Sequence, residues 1–179
     1  EVVSGLLRML TRLVGEGVKI VLSSSQDLPR IRADVGMIEQ VVVNLVVNAR
    51  DAMPTGGGVE IRIQACDVTA DHVLSKAEAR VGKFVRLTVT DTGHGMDEKI
   101  LEKIFEPFFT TKTPGKGTGL GLATVHGIVK QHGGWIEVES VVGTGTRFDI
   151  FFEACKEAVA IPPPPRPQRQ RVGTGETIL

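Results

Sequence analysis

The 179 residues predict an α+β fold, a two-layer sandwich in which a mixed, mostly antiparallel sheet carries its helices on one face. Three observations lead there. Segments that alternate apolar and polar residues come in neighbouring pairs, the pattern of hairpins and not of βαβ units. Between the pairs lie stretches whose apolar residues recur every three or four positions, the helical period. Glycine and proline separate these stretches at nearly every junction.

Residues 1–14 open the chain as a helix, with Val2, Leu6, Leu10, Leu13 and Val14 on one stripe. After Gly15-Glu-Gly17 the segment VKIVLSS (18–24) is a strand, and IRAD (31–34), past Pro29, is expected to add a short edge strand. Asp34 then caps a long helix that runs to about Met53 and is stopped by Pro54 and Gly56–Gly58. VEIRIQACDV (59–68) and KFVRLTVTD (83–91) pair as an antiparallel hairpin whose long polar connection has room for a short helix. The region 96–117 is mixed, with Pro107, Pro114 and three phenylalanines. A helix follows within GTGLGLATVHGIVKQHGG (117–134), then IEVESVV (136–142) and RFDIFF (147–152) around the turn VGTGT. From Ala158 the composition changes to IPPPPRPQRQRVGTG, which has no apolar period and reads as an extended, disordered linker.

Charge excludes some functions. Lys plus Arg equals Asp plus Glu at 21 each, which gives no footprint for nucleic acid. The two cysteines, Cys66 and Cys155, form no CxxC or Cys/His cluster, which argues against a disulfide framework or a zinc site and fits a reducing, cytoplasmic setting. No apolar run approaches the roughly 20 residues of a membrane span, and no signal peptide opens the chain, so a soluble protein without membrane contact is expected.

Chemistry concentrates in three places. The helix IEQVVVNLVVNARDAM is apolar except for Gln40, Asn44, Asn48 and Asp51, which stack along one stripe. Such a stripe is either an exposed face or a set of oxygens for a hard cation; an exposed face would favour Lys and Glu, whereas paired Asn suit Mg²⁺. DTGHGM (91–96) puts Asp91 at a strand end, with Gly93 and Gly95 able to let a flat ligand approach the backbone, although Asp and Gly also simply form turns. His94 is expected exposed in that loop, and His126 and His132 on a helix surface. The third place is the glycine alternation at 117–121, which serves either tight packing or a phosphate chain at a helix start. A P-loop, a Rossmann GxGxxG and the Ser/Thr kinase motifs are all missing.

The ordered blocks EQVVVNLVVNARDAMPTGGG, DTGHGM, IFEPFFTTK, GTGLGLATVHGIVKQHGGWIEVES and GTGTRFDIFF resemble the N, G1, F, G2 and G3 boxes of the histidine-kinase catalytic and ATP-binding domain. That domain has the Bergerat fold of Hsp90, MutL and DNA gyrase. The resemblance covers roughly 1–154 and is closest to the nitrogen-regulation and hybrid sensor kinases. It implies ATP and Mg²⁺ as ligands, with Asp91 accepting from the adenine amino group and Thr146 helping to hold a water there. Asn48 would coordinate Mg²⁺ with Asn44 nearby, and Lys112 would contact phosphate; Asn44 and Lys112 are the catalytic candidates. Gly117, Thr118, Gly119, Leu120, Gly121 and Leu122 would cradle the phosphates, and Gly93, Gly95 and Asp51 complete the nucleotide site. Phe105, Phe108 and Phe109 would pin the lid by packing.

Two departures qualify the picture. ATP-hydrolysing members place a Glu general base where this chain has Asn44, so intrinsic ATPase should be slight. Where many relatives carry a basic residue three after the second Asn, this chain has Asp51, preceded by Arg50, so phosphate contact by Arg50 is not expected. None of His72, His94, His126 and His132 lies in a phosphoacceptor context. The chain is therefore expected to be a monomeric catalytic half (1–156), acting on a separate dimerisation domain that bears the phosphoacceptor histidine. A linker (157–174) and GETIL (175–179), which resembles the start of a response-regulator receiver domain, would follow. The competing readings are a nucleotide-binding docking module without transfer, an ATPase of the Hsp90 or MutL type, and a serine kinase of the anti-sigma class.

Overall fold

The apolar stripe at the N-terminus does form a helix, α1 (Val2–Val14), with Leu6, Leu10 and Val14 buried. The computed structural model describes residues 2–155 apart from 77 and 114–116; the stretches read above as linker and receiver start lie outside the described residues. The elements that follow are β1 (Val18–Ser24), α2 (Val35–Asp51), β2 (Gly57–Val68), α3 (Ala70–Ser75), β3 (Gly82–Asp91), α4 (Glu98–Leu101), α5 (Gly121–Gln131), β4 (Trp135–Val141) and β5 (Gly145–Glu153).

The five strands form one sheet in the order β1-β2-β3-β5-β4. β1 runs parallel to β2, because α2 carries the chain back between them, and every other neighbouring pair is antiparallel. One face packs against α1, α2 and α5. Val41, Val42, Leu45 and Val46 from α2, Val125 and Val129 from α5, and Ile61, Val89 and Ile150 from the sheet make this main core. Alternate strand residues point the other way, and there Phe84, Trp135 and Phe151 form a second cluster with Val68 and Ala79. The Trp135 and Phe151 rings stack at 4.5 Å.

IRAD does not become a strand. Ile31 makes a single bridge, to Ala154, because three residues later Asp34 must turn the chain into α2. Asp34 accepts a hydrogen bond from Met37 N at 2.9 Å, satisfying one orphan donor of the first turn. Its own N–H donates to His132 Nε2 at 3.1 Å, while His132 Nδ1 lies 2.8 Å from the Ile128 carbonyl. Contrary to its expected surface position, His132 is half-buried and ties the end of α5 to the start of α2. His126 is also half-buried, its ring 5.1 Å from that of Phe105. Replacing Asp34 by Ala should cost about 1 kcal/mol, read as a lower midpoint in denaturant unfolding with unchanged slope.

Candidate functional site

The polar stripe on α2 is explained by where its face points. Asn44 and Asn48 are half-buried and, with Asp51, line a cleft of about 810 Å³ between α2, the start of α5, the end of β3 and the 105–112 segment. Gln40, one turn earlier, is exposed and does not line it. The same cleft is lined by Asp91, Gly95, Lys112, Gly117, Thr118, Gly119, Gly121, Leu122 and Thr146. Gly93 and Leu120 belong to the same loops but are not lining residues: Gly93 is buried beneath Asp91, and Leu120 is 40% exposed.

At one end, Asp91 terminates β3 and is only 7% exposed. Its Oδ1 accepts from Gly93 N at 2.8 Å and from Thr146 N at 3.3 Å. Its Oδ2 makes no hydrogen bond among the described residues, which leaves one acceptor for a ligand N–H. Burial pushes the Asp91 carboxyl above its ordinary range, against the pull of the Gly93 and Thr146 N–H groups. Thr146 Oγ1 lies 2.8 Å from Ser140 Oγ. The apolar residues Met96, Ile100, Ile104 and Phe148 also line the cleft, and Ile104 and Phe148 are each 5% exposed. Sequence reading did not assign these four to the site. Their apolar character marked them as buried, but nothing in the local pattern tells a core wall from a ligand wall.

At the other end the groups are ionic. Lys112 Nζ lies 2.6 Å from Asp51 Oδ2 and 3.5 Å from Asn48 Oδ1, so an amide oxygen of α2 already faces a cation. Asp51 Oδ1 takes Arg50 Nε at 2.9 Å and Nη2 at 2.7 Å. Burial raises the Asp51 carboxyl, but hydrogen bonds from Lys112 and Arg50 and their charges outweigh it and hold it below the ordinary range. Arg50 also lines the cleft, and its Nη1 donates to Leu13 O at 3.1 Å, so its guanidinium is engaged at α1. Among the described residues Asp51 and Asp91 are the only carboxylates lining the cleft, and position 44 offers an amide that cannot take a proton from water.

The glycines serve different ends. Gly95 has φ +66°, and a Cβ there would sit 2.1 Å from Val141 O; Gly93 is closed in by Ala52. The packing of the turn against its neighbours leaves no room for a side chain at either position, and Gly95 also lines the cleft. Gly119, also at φ +66°, lies against the Phe108 backbone, and its carbonyl accepts from Phe108 N at 2.9 Å. Phe108 itself has φ 68° and is 74% exposed, so it does not pin this segment by packing, whereas Phe105 joins the core. Gly121 is different. It is the first residue of α5, and a Cβ there would meet only Asn48 Nδ2 at 3.8 Å and Asn44 Oδ1 at 3.9 Å, ordinary contact distances. The N-cap residue, Leu120, gives no side-chain hydrogen bond, so the first N–H groups of this 11-residue helix lack a capping side chain beside the Asn pair. Among the described residues no group of three His, Cys, Asp or Glu could hold a metal, and no helix is long and apolar enough to cross a membrane.

The family model described as histidine kinase-, DNA gyrase B- and HSP90-like ATPase matches residues 33–155. The chain is similar to the sensor kinase CckA of Brucella abortus, 50% identical over 154 residues that make up 84% of this chain and 16% of that protein. It is 40% identical over 150 residues to sporulation kinase A of Bacillus subtilis, covering 84% of this chain and 22% of that one. It therefore spans less than a quarter of the length of either relative. Among solved structures, the catalytic domain of the histidine kinase ThkA superposes with a TM-score of 0.62 at 30% identity, over 86% of this chain and 88% of that domain. Full-length ShkA in complex with AMPPNP superposes with a TM-score of 0.65 at 30% identity, over 87% of this chain and 31% of that one.

Proposed function

The chain belongs to the histidine kinase-, DNA gyrase B- and HSP90-like ATPases, within them to the catalytic domains of sensor histidine kinases, and from that premise we propose that it binds ATP with Mg²⁺ and transfers the γ-phosphoryl group to a histidine on a separate dimerisation domain. The observation that carries the reading is a single cleft with one open carboxylate oxygen, Asp91 Oδ2, at its walled end and a helix start without a side-chain cap beside two Asn at its ionic end. In this reading Asp91 accepts a hydrogen bond from the adenine amino group, and Ile104, Met96 and Phe148 flank the base. The phosphates lie along Gly117–Leu122, where the N-terminal N–H groups of α5 supply donors.

The residues at the ionic end suit Mg²⁺. Asn44 and Asn48 offer amide oxygens, and Asn48 Oδ1 already faces the Lys112 ammonium. When bound, the ion would neutralise negative charge on the phosphates. Asn48 is the ligand assigned to it, with Asn44 close by. Lys112 would leave Asp51 to meet the terminal phosphate, and Asp51 would hold it ready at the cleft. Transfer of this kind depends on positioning and charge neutralisation, which these residues supply. Because Asn44 cannot act as a base, the domain should hydrolyse ATP only slowly without its phosphoacceptor. The partners of this reading are the dimerisation domain and, downstream, the receiver domain of a response regulator.

Titration of the chain with ATP by calorimetry, with and without Mg²⁺, tests it. Binding that tightens at least about tenfold with Mg²⁺ is the expected result, and Asn48→Ala should remove that increment. No binding by the wild-type chain would defeat the nucleotide reading. Binding without labelling of any histidine on a supplied dimerisation domain would defeat the transferase part.

A further inference from the structure

Arg50 and Asp51 are neighbours at the end of α2, so their Cα–Cβ directions diverge by about 100° around the helix. They are nonetheless joined, since the Arg50 guanidinium folds back onto Asp51 Oδ1 through Nε at 2.9 Å and Nη2 at 2.7 Å. Its remaining amino group, Nη1, reaches Leu13 O at 3.1 Å, a carbonyl of the last turn of α1 that has no helical partner. The second oxygen of the same carboxylate, Oδ2, holds Lys112 Nζ at 2.6 Å. One half-buried carboxylate is thus linked on one side, through Arg50, to the end of α1 and bonded on the other to the 105–112 segment. We propose that Asp51 is a positioning residue that couples the end of α1 to that segment, keeping Lys112 beside Asn48 while α1 is docked.

The coupling works through geometry. A carboxylate with both oxygens engaged in charge-assisted bonds has a fixed plane and cannot turn to follow one partner alone. Displacing α1 removes the Leu13 carbonyl from Arg50, frees the guanidinium to swing, and deprives Asp51 of the bonds that aim Oδ2 at Lys112. Conversely, a ligand that takes Lys112 away leaves Asp51 held from one side only and loosens Arg50 at α1. The effect is reciprocal, as any coupling between two sites must be. That the departing Lys112 goes to a phosphate rests on the ATP reading above; the coupling of α1 to the segment does not.

Amide hydrogen exchange of the nucleotide-free chain tests the coupling separately from nucleotide binding. Arg50→Gln should speed exchange in the last turn of α1 and also in 105–112, and Lys112→Gln should speed both regions too. Asp51→Asn should have the largest effect on both. Breaking a partly exposed pair worth about 0.2–1 kcal/mol corresponds to a rise of up to roughly fivefold. If Arg50→Gln speeds α1 and leaves 105–112 unchanged, or Lys112→Gln does the converse, the two ends are independent and the proposal is overturned. A variant that unfolds would reveal itself by faster exchange in β3 and β5. In that event the wild-type chain decides: added salt should raise exchange at both ends together while β3 and β5 stay protected, and a rise at one end alone overturns the coupling. Failure of the calorimetric titration would leave this result standing, and failure here would leave the titration standing.

Discussion

Asp91→Asn is expected to lower ATP affinity at least about a hundredfold and at the same time to raise the melting temperature of the ligand-free domain. The two effects come from the two oxygens. Oδ1 receives both internal bonds, from Gly93 N and Thr146 N, and an asparagine can present its carbonyl oxygen in that place. The amide nitrogen then takes the place of Oδ2, so a donor faces the adenine amino donor. Losing a charge-assisted bond costs about 1.5–3 kcal/mol, and leaving a donor unpaired in the closed site costs about 1–3 more, which together account for a loss of a hundredfold or greater. Stability moves the other way. Burial raises the Asp91 carboxyl above its ordinary 3.8. The contribution of such an acid to stability is fully present below 3.8, where it is protonated in both states, and is lost as pH rises from there through the folded pKa. The melting-temperature gap between Asn variant and wild type should therefore open as pH rises through that window and persist at neutrality. Thermal scans across pH, paired with calorimetry, check both halves. A variant that loses ATP and also melts lower at neutral pH would mean that Asp91 is structural.

The second large effect separates two glycines at the start of α5. Gly119→Ala places a Cβ 2.3 Å from Phe108 C and 2.5 Å from its carbonyl oxygen, at a φ of +66° that alanine avoids. Strain and overlap together should cost about 2 kcal/mol or more and displace Phe108 from Gly119, so melting temperature and affinity both fall. Gly121→Ala meets nothing closer than 3.8 Å and needs no positive φ. Alanine is up to about 1 kcal/mol better than glycine in a helix, so this variant should melt no lower than wild type. Its methyl group, however, projects toward Asn44 and Asn48, where the phosphates would lie, and crowding of about 1–3 kcal/mol weakens ATP by tenfold to a hundredfold. Equal affinity for ATP in wild type and Gly121→Ala would remove the phosphates from the start of α5.

Local sequence carried a large share of this molecule. The cap at Asp34, the long α2, the hairpin of β2 and β3 and the closing β4–β5 pair all follow from period, caps and turn residues, which act over a few positions. The order of the five boxes likewise placed Asn44, Asn48, Asp91, Lys112 and Gly121, and the cleft brings them together. What the sequence could not decide are facts of contact between distant segments. IRAD has the residues of a strand, yet its length is set by where α2 must start. Phe108 has the character of a core residue and is exposed, its backbone at a φ of 68° and packed against Gly119. Gly93 and Gly95 in one stretch and Gly119 in another could each serve a ligand or a turn, and the space beside them is filled by Ala52, Val141 and Phe108. His132 carries no signature of its link to Asp34, 98 residues away in the chain. The sequence by itself determined which residue types stand at the site and in what order, since short-range sterics and hydrogen bonding dictate them. Only the tertiary structure decided that Asp51 joins α1 to Lys112, because only folding brings Lys112 to one oxygen of Asp51 and the Leu13 carbonyl to the Arg50 that holds the other.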